Sequence, residues 1–310
     1  MIISQNLSSQ DLCVDFRANF VEDKEKLRRN TVVFQEVLTQ SSAKFAEKMR
    51  AISCEDRFSV LRRIIVLKCY SKTDIGLTRN ENQDRVWVST LGDNEEAVVL
   101  VVCDGMGGEN AGSCASQMTM DLMQERITNG FRLSNNRNFI RNLLITSVTA
   151  ANSLVFDRAR AEIDKRGMGT TCVAAIVYEE RAYIINVGDS RCYHIFGENM
   201  QQITKDHTEI RRLIEKGEIT EEESKTHPRR NCITRAVGAA RDITPDYFEI
   251  DLEEGHSLLL CSDGLHSYGE DAEIAGIMVN NPINRCCDLL IDYALANGGR
   301  DNVTVAVVKC

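Results

Sequence analysis

Ala97-Val98-Val99-Leu100-Val101-Val102-Cys103-Asp104-Gly105-Met106-Gly107-Gly108 opens with seven apolar residues in a row and closes in a glycine-rich turn. Seven apolar positions without alternation predict a strand buried on both faces. The run stops at Asp104, and a carboxylate at the end of a buried strand is costly unless something pairs with it. The glycines at 105, 107, 108 and 112 allow a tight turn and a close approach of backbone to a ligand. A metal ion or a phosphate is the expected partner, and this stretch alone leaves the two open.

The same pattern recurs along the chain. Ser257-Leu258-Leu259-Leu260-Cys261-Ser262 runs into Asp263-Gly264, and Arg300-Asp301-Asn302 leads into Val303-Thr304-Val305-Ala306-Val307-Val308. Asp84 closes Arg79-Asn80-Glu81-Asn82-Gln83-Asp84, directly before the strand pattern Arg85-Val86-Trp87-Val88. Four aspartates at strand ends are able to converge on one edge of a sheet system. Hard oxygen ligands of this kind select Mg²⁺ or Mn²⁺ over zinc or copper.

The chain has 310 residues, 43% hydrophobic and 27% charged, ordinary values for a globular protein. A net charge of −9 argues against a nucleic-acid or membrane-surface binder. No apolar run approaches the roughly 20 residues of a membrane span. The first residues lack the pattern of a secretory signal, so a cytoplasmic location is expected. The 12 cysteines contain no C-x-x-C pair and sit in apolar runs, which reads as reduced thiols used as small hydrophobes rather than zinc ligands.

Residues 1–67 contain neither glycine nor proline. Phe34, Leu38, Phe45 and Met49 fall on one helical face, so the segment is expected to be a helical extension of two or three helices. It would pack on a catalytic body or bind another protein or a second copy. From residue 68 the pattern becomes strand and turn. Strands are expected at 97–103, 170–178, 182–187, 191–196, 248–252, 257–261 and 303–308, and long amphipathic helices at 113–128 and 138–163. Gly188-Asp189-Ser190 reads as a turn with a structural aspartate. The polar stretch 204–231, with the capping pattern Thr220-Glu221-Glu222-Glu223, reads as a helical excursion that could cover a site. Many strands with helices in pairs point to an α+β layered fold.

A phosphate-cradling P-loop is absent, because no Gly-Lys-Ser/Thr follows the glycines, and there is neither G-x-G-x-x-G nor a G-x-S-x-G nucleophile elbow. The motifs that are present resemble those of the metal-dependent Ser/Thr protein phosphatases of type 2C, in their bacterial-like form. They are Gly76-Leu77-Thr78-Arg79-Asn80-Glu81-Asn82-Gln83-Asp84, Val102-Cys103-Asp104-Gly105-Met106-Gly107-Gly108, Gly167-Met168-Gly169-Thr170-Thr171, Asn186-Val187-Gly188-Asp189-Ser190-Arg191, Thr204-Lys205-Asp206-His207, His227-Pro228-Arg229-Arg230-Asn231, Cys261-Ser262-Asp263-Gly264-Leu265 and Arg300-Asp301-Asn302-Val303-Thr304. They occur in the family's order across residues 68–310 and leave 1–67 uncovered.

The resemblance implies a four-layer α-β-β-α sandwich of two antiparallel sheets flanked by helices, with two Mn²⁺ or Mg²⁺ ions at one end. By position, Asp104 would bridge the ions, the Gly105 carbonyl would ligate one, and Asp263 and Asp301 would complete the other. Asp84 would be a direct or water-mediated ligand, and Arg79 would grip the substrate phosphate. Some relatives hold a third ion near the Gly169 loop, for which Asp164 is a candidate. The implied activity is hydrolysis of phosphoserine and phosphothreonine by metal-activated water, opposing a Ser/Thr kinase. Met106 stands where animal relatives have a histidine that is a candidate general acid, and a thioether has no proton to give. The alternative reading is a regulatory or scaffolding protein acting mainly through its first 67 residues.

Overall fold

The computed structural model describes residues 67–310 apart from 94, 109–110, 225–226 and 230–231. The expected helical extension therefore lies outside the described residues, save for Leu67. In chain order the elements are β1 (Lys68–Asp74), β2 (Arg85–Leu91), β3 (Ala97–Cys103), β4 (Gly105–Met106), α1 (Ala111–Leu133), α2 (Arg137–Ala161), β5 (Gly169–Thr170), β6 (Cys172–Tyr178), β7 (Arg181–Val187), β8 (Arg191–Phe196), β9 (Asn199–Gln202), α3 (Glu209–Glu215), α4 (Glu221–Ser224), β10 (Asp246–Asp251), β11 (Ser257–Cys261), α5 (Asp263–His266), α6 (Asp271–Asn280), α7 (Ile283–Ala296) and β12 (Val303–Lys309).

Two five-stranded antiparallel sheets run in the orders β1-β12-β11-β8-β9 and β10-β7-β6-β3-β2, and β4 pairs with β5 in a small ladder of its own. All seven residues of β3 are buried, and their alternation explains why none is polar. Val99, Val101 and Cys103 join the side chains of α1 and α2 in one core. Val98, Leu100 and Val102 pack with Leu258, Leu260 and Ala306 between the sheets. On the far side Leu259, Val305 and Val307 meet Leu290, Ile291 and Ala294 of α7. Helix pair, sheet, sheet and helix pair make the α+β four-layer sandwich expected from the resemblance.

Helix α2 starts at Asn136, whose side chain accepts a hydrogen bond from the Phe139 N–H. Among the described residues it is the one helix long and apolar enough to cross a membrane by length and composition. Its apolar face is used in the core, where Ile140, Leu144, Val148 and Val155 are buried. Helix α1 extends five residues past the expected end, and β9 and the β4–β5 ladder were not anticipated. The ten cysteines among the described residues form no disulfide; Cys103, Cys172, Cys192 and Cys261 are buried and Cys232 is exposed.

Strand register sets where the aspartates stand. Arg85 lies opposite Cys103, so Asp84 before β2 and Asp104 after β3 sit at the same end of their sheet. In the other sheet Cys261 lies opposite both Val305 and Arg191. The end of β11 and the starts of β12 and β8 therefore share an edge, which carries Asp263, Asp301 and the Gly188–Ser190 turn.

Candidate active site

The loop 75–83 is folded onto the turn before β12 by close backbone contact. Leu77 N–H donates to the Gly299 carbonyl at 2.7 Å. Gly76 has φ +78°, and a Cβ there would stand 2.2 Å from the Asp301 carbonyl oxygen, so this position requires glycine. Buried Asn302 fixes the rest of the loop. Its Nδ2 donates to the Ile75 and Glu81 carbonyls, and its Oδ1 accepts from the Gln83 N–H. The sequence motif Asp301-Asn302 thus supplies a charged group and, one residue later, the clamp that holds the loop of Arg79 and Asp84.

Asp84 is 2% exposed. Its Oδ2 accepts hydrogen bonds from Ser262 Oγ and Thr304 Oγ1, both at 2.7 Å. Its Oδ1 is buried with no partner among the described residues. Burial raises its pKa to about 6, against the pull of those two hydroxyls. Asp104 is held by a reciprocal pair with Thr171: Asp104 N–H donates to Thr171 Oγ1, and Thr171 N–H donates to the Asp104 carbonyl. The Asp104 carboxyl shares this edge with Asp84 and Asp263, whose charges act on it. Its pKa is raised well above the carboxylate range by burial and then by the charges of Asp84, Asp263, Asp189 and Asp301.

Asp263 begins α5, and Gly264 beside it leaves room for the Asn302 carbonyl, which a Cβ would approach to 2.0 Å. Asp263 Oδ1 is also buried without a partner among the described residues. Its pKa is pushed well up by burial, then by Asp189, Asp301 and Asp84. Asp301 is half-buried and forms an ion pair with Arg79 at 2.7 Å. The structure thus brings together all four aspartates and the arginine singled out in the sequence. Gly105 lies in β4, packed so closely on Gly112 that a Cβ would meet the Gly112 carbonyl oxygen at 2.3 Å.

These residues fit divalent cations. Carboxylates that raise one another's pKa, with two orphaned buried oxygens and one arginine at the rim, lack the positive charge that would keep them ionised. Among the described residues no three such donors already close on one point. An ion here would thus complete its shell with water and substrate oxygens, as Mg²⁺ commonly does.

Two expectations fare differently. Asp164 lies on a short 3₁₀ turn, 74% exposed and paired with Lys165, and is not among the carboxylates that raise Asp104 or Asp263. Asp189, read as a turn residue, is 8% exposed and acts electrostatically on both of them. The missed signal is Val187-Gly188-Asp189, which repeats the apolar-run-then-aspartate pattern with the glycine placed first.

A two-sheet sandwich with an edge of carboxylates defines the scaffold, and comparison with known proteins places it. The chain is 35% identical over 239 residues, 77% of its length, to the serine/threonine phosphatase stp of Listeria innocua, covering 94% of that protein. It superposes on the serine/threonine phosphatase of S. agalactiae with a TM-score of 0.74 at 31% identity, covering 78% of this chain and 99% of that one. A second solved structure, the catalytic domain of the phosphatase PstP in complex with two manganese ions, matches with a TM-score of 0.68 at 32% identity, covering 78% and 97%. A sequence profile of the protein phosphatase 2C family matches residues 78–285. The chain belongs to the protein phosphatase 2C family.

Proposed function

We propose that this chain removes phosphate from phosphoserine and phosphothreonine in other proteins, using two Mn²⁺ or Mg²⁺ ions, and so opposes a Ser/Thr kinase. The observation that carries this reading is the gathering of Asp84, Asp263 and Asp301 around Asp104, whose pKa burial and then their charges raise, with Asp84 Oδ1 and Asp263 Oδ1 buried and without a partner among the described residues. Asp84, Asp104, Asp263, Asp301 and the Gly105 carbonyl would hold the ions. Bound ions supply Lewis-acid chemistry, lowering the pKa of water and offsetting phosphoryl charge.

The rest of the work falls to side chains. Arg79 is 56% exposed at the rim, and its guanidinium fork suits phosphoryl oxygens. Binding a phosphate exchanges one charge-assisted pair, Arg79–Asp301, for another, so the arginine is held ready at modest net cost. Ser262 and Thr304 keep the Asp84 carboxyl oriented from below. The two thiols nearest these strand ends are not poised to attack: Cys103 is raised well above its ordinary value by its neighbour Cys172 and by burial, and burial pushes Cys261 up to about 12. Met106 holds no proton, so protonation of the leaving oxygen falls to another group.

The test is Asp263→Asn and Asp301→Asn assayed on a phosphothreonine peptide. Both are expected to lower turnover at least ~100-fold with an unchanged circular dichroism spectrum, a loss in the range seen when a charge-stabilising group is removed. Wild-type turnover in either variant contradicts the assignment.

A further inference from the structure

Asp189 sits on the Gly188–Ser190 turn, where the chain leaves β7 in one sheet and enters β8 in the other. The crossing occurs at the end of the sandwich that carries the candidate metal ligands. The turn is fixed on every side. Gly188 N–H donates to His207 Nδ1 at 3.0 Å. His266 Nε2 donates to the Asp189 carbonyl at 3.1 Å, since a carbonyl only accepts. The Ser190 hydroxyl meets Thr171 Oγ1 at 2.7 Å, and Thr171 is the residue that grips the Asp104 backbone.

In this rigid frame the Asp189 side chain is more than nine-tenths buried, yet its Oδ1 has no hydrogen-bond partner among the described residues. The nearby cation does not meet that need. Arg191 directs Nε and Nη2 to the Asp206 carboxylate and Nη1 to the Tyr193 hydroxyl. Burial and then the Asp189 charge raise Asp263, while Asp189 itself is raised to about 6 by burial and then by Asp206. A buried carboxylate oxygen without a partner calls for a ligand, and a bound cation would supply one.

We propose that Asp189 is a fifth carboxylate of the metal centre, taking a divalent cation directly or through its water on the Asp263 side. This rests on the two-ion reading above. It also gives a charge balance: five carboxylates match two divalent cations and Arg79. Residues in such a position commonly change metal affinity ~10- to 100-fold when replaced.

The test is calorimetric titration of Mn²⁺ into the full-length chain freed of metal with EDTA, for the wild type, Asp189→Asn and Asp189→Ser, with metal-free melting temperatures measured alongside. The proposal expects at least a ~10-fold loss of Mn²⁺ affinity at one site in both variants. Their metal-free melting temperatures should equal or exceed the wild type, because a buried repulsive charge has gone. Wild-type affinity in the variants overturns the proposal and leaves the two-ion reading intact. An affinity loss no larger than the lost metal-free stability accounts for makes Asp189 a structural turn residue and also overturns it. A wild-type chain that binds no Mn²⁺ removes the two-ion reading, and the proposal falls with it.

Discussion

Asn302 shows how one polar side chain sets the geometry of a catalytic edge. It is 6% exposed and satisfies Ile75, Glu81 and Gln83 at once, so its loss would leave buried backbone groups unpaired. Each such group costs about 1–3 kcal/mol. Asn302→Ala is therefore expected to destabilise the fold by at least about 2 kcal/mol in urea titration. It should also lower kcat/KM at least ~10-fold by loosening the loop of Arg79 and Asp84, since small misplacements of positioning groups are expensive in rate. An unchanged kcat/KM would show that the loop holds without the clamp. His266 gives a pH prediction at the same scale. Burial first, and the Arg191 charge second, lower its pKa to about 3. The unfolded chain then binds a proton that the folded chain refuses, at every pH between about 3 and the ordinary histidine value of about 6.5. The histidine's contribution is fully present above pH ~6.5 and is lost as pH falls, by at most about 1.4 kcal/mol per pH unit. His266→Gln keeps a donor for the Asp189 carbonyl and removes the titration. Its stability should fall less steeply than the wild type from pH 6.5 to 5, as read by urea unfolding, and parallel curves would contradict the burial argument.

Among the elements, β3 carries the most weight, because it alternates between the helix-side core and the space between the sheets. Leu100 is fully buried in the latter, against Leu258 and Leu260. Leu100→Ala is expected to cost about 3–5 kcal/mol in chemical denaturation. A loss under about 1 kcal/mol would mean that the sheets close the gap at no strain. The apolar run made this strand, and β6, β7, β11 and β12 with it, legible from sequence, because burial on both faces leaves few polar positions to blur the pattern. Edge strand β9 alternates exposed and half-buried residues over only four positions, Asn199 to Gln202, and carries no such mark. The two-residue β4 and β5 form because Asp104 and Thr171 pair across them, a tertiary effect that no local period records. Asp84, Asp104, Asp263 and Asp301 were legible because each abuts an apolar strand run. Asp189 was not, because Gly-Asp-Ser is also ordinary turn chemistry, and only the crossing from one sheet to the other brings it to the end of the sandwich that carries Asp263.

At the scale of the whole molecule, the described residues hold all the candidate ligands and three continuous hydrophobic clusters. Residues 67–310 are therefore expected to fold and to turn over substrate without the preceding segment, which we propose is an interaction or targeting extension. Phosphopeptide turnover by a chain starting at residue 67 should match that of the full-length protein. Insolubility or a lost thermal transition would instead make the segment part of the folded body. The central claim is a metal-dependent phosphoprotein phosphatase, and it is tested most directly by phosphate release from a phosphothreonine peptide with Mn²⁺ added and then with EDTA. Release that requires Mn²⁺ and stops on chelation is the predicted result. Release that survives EDTA, or none from a folded sample with any divalent ion, would contradict it.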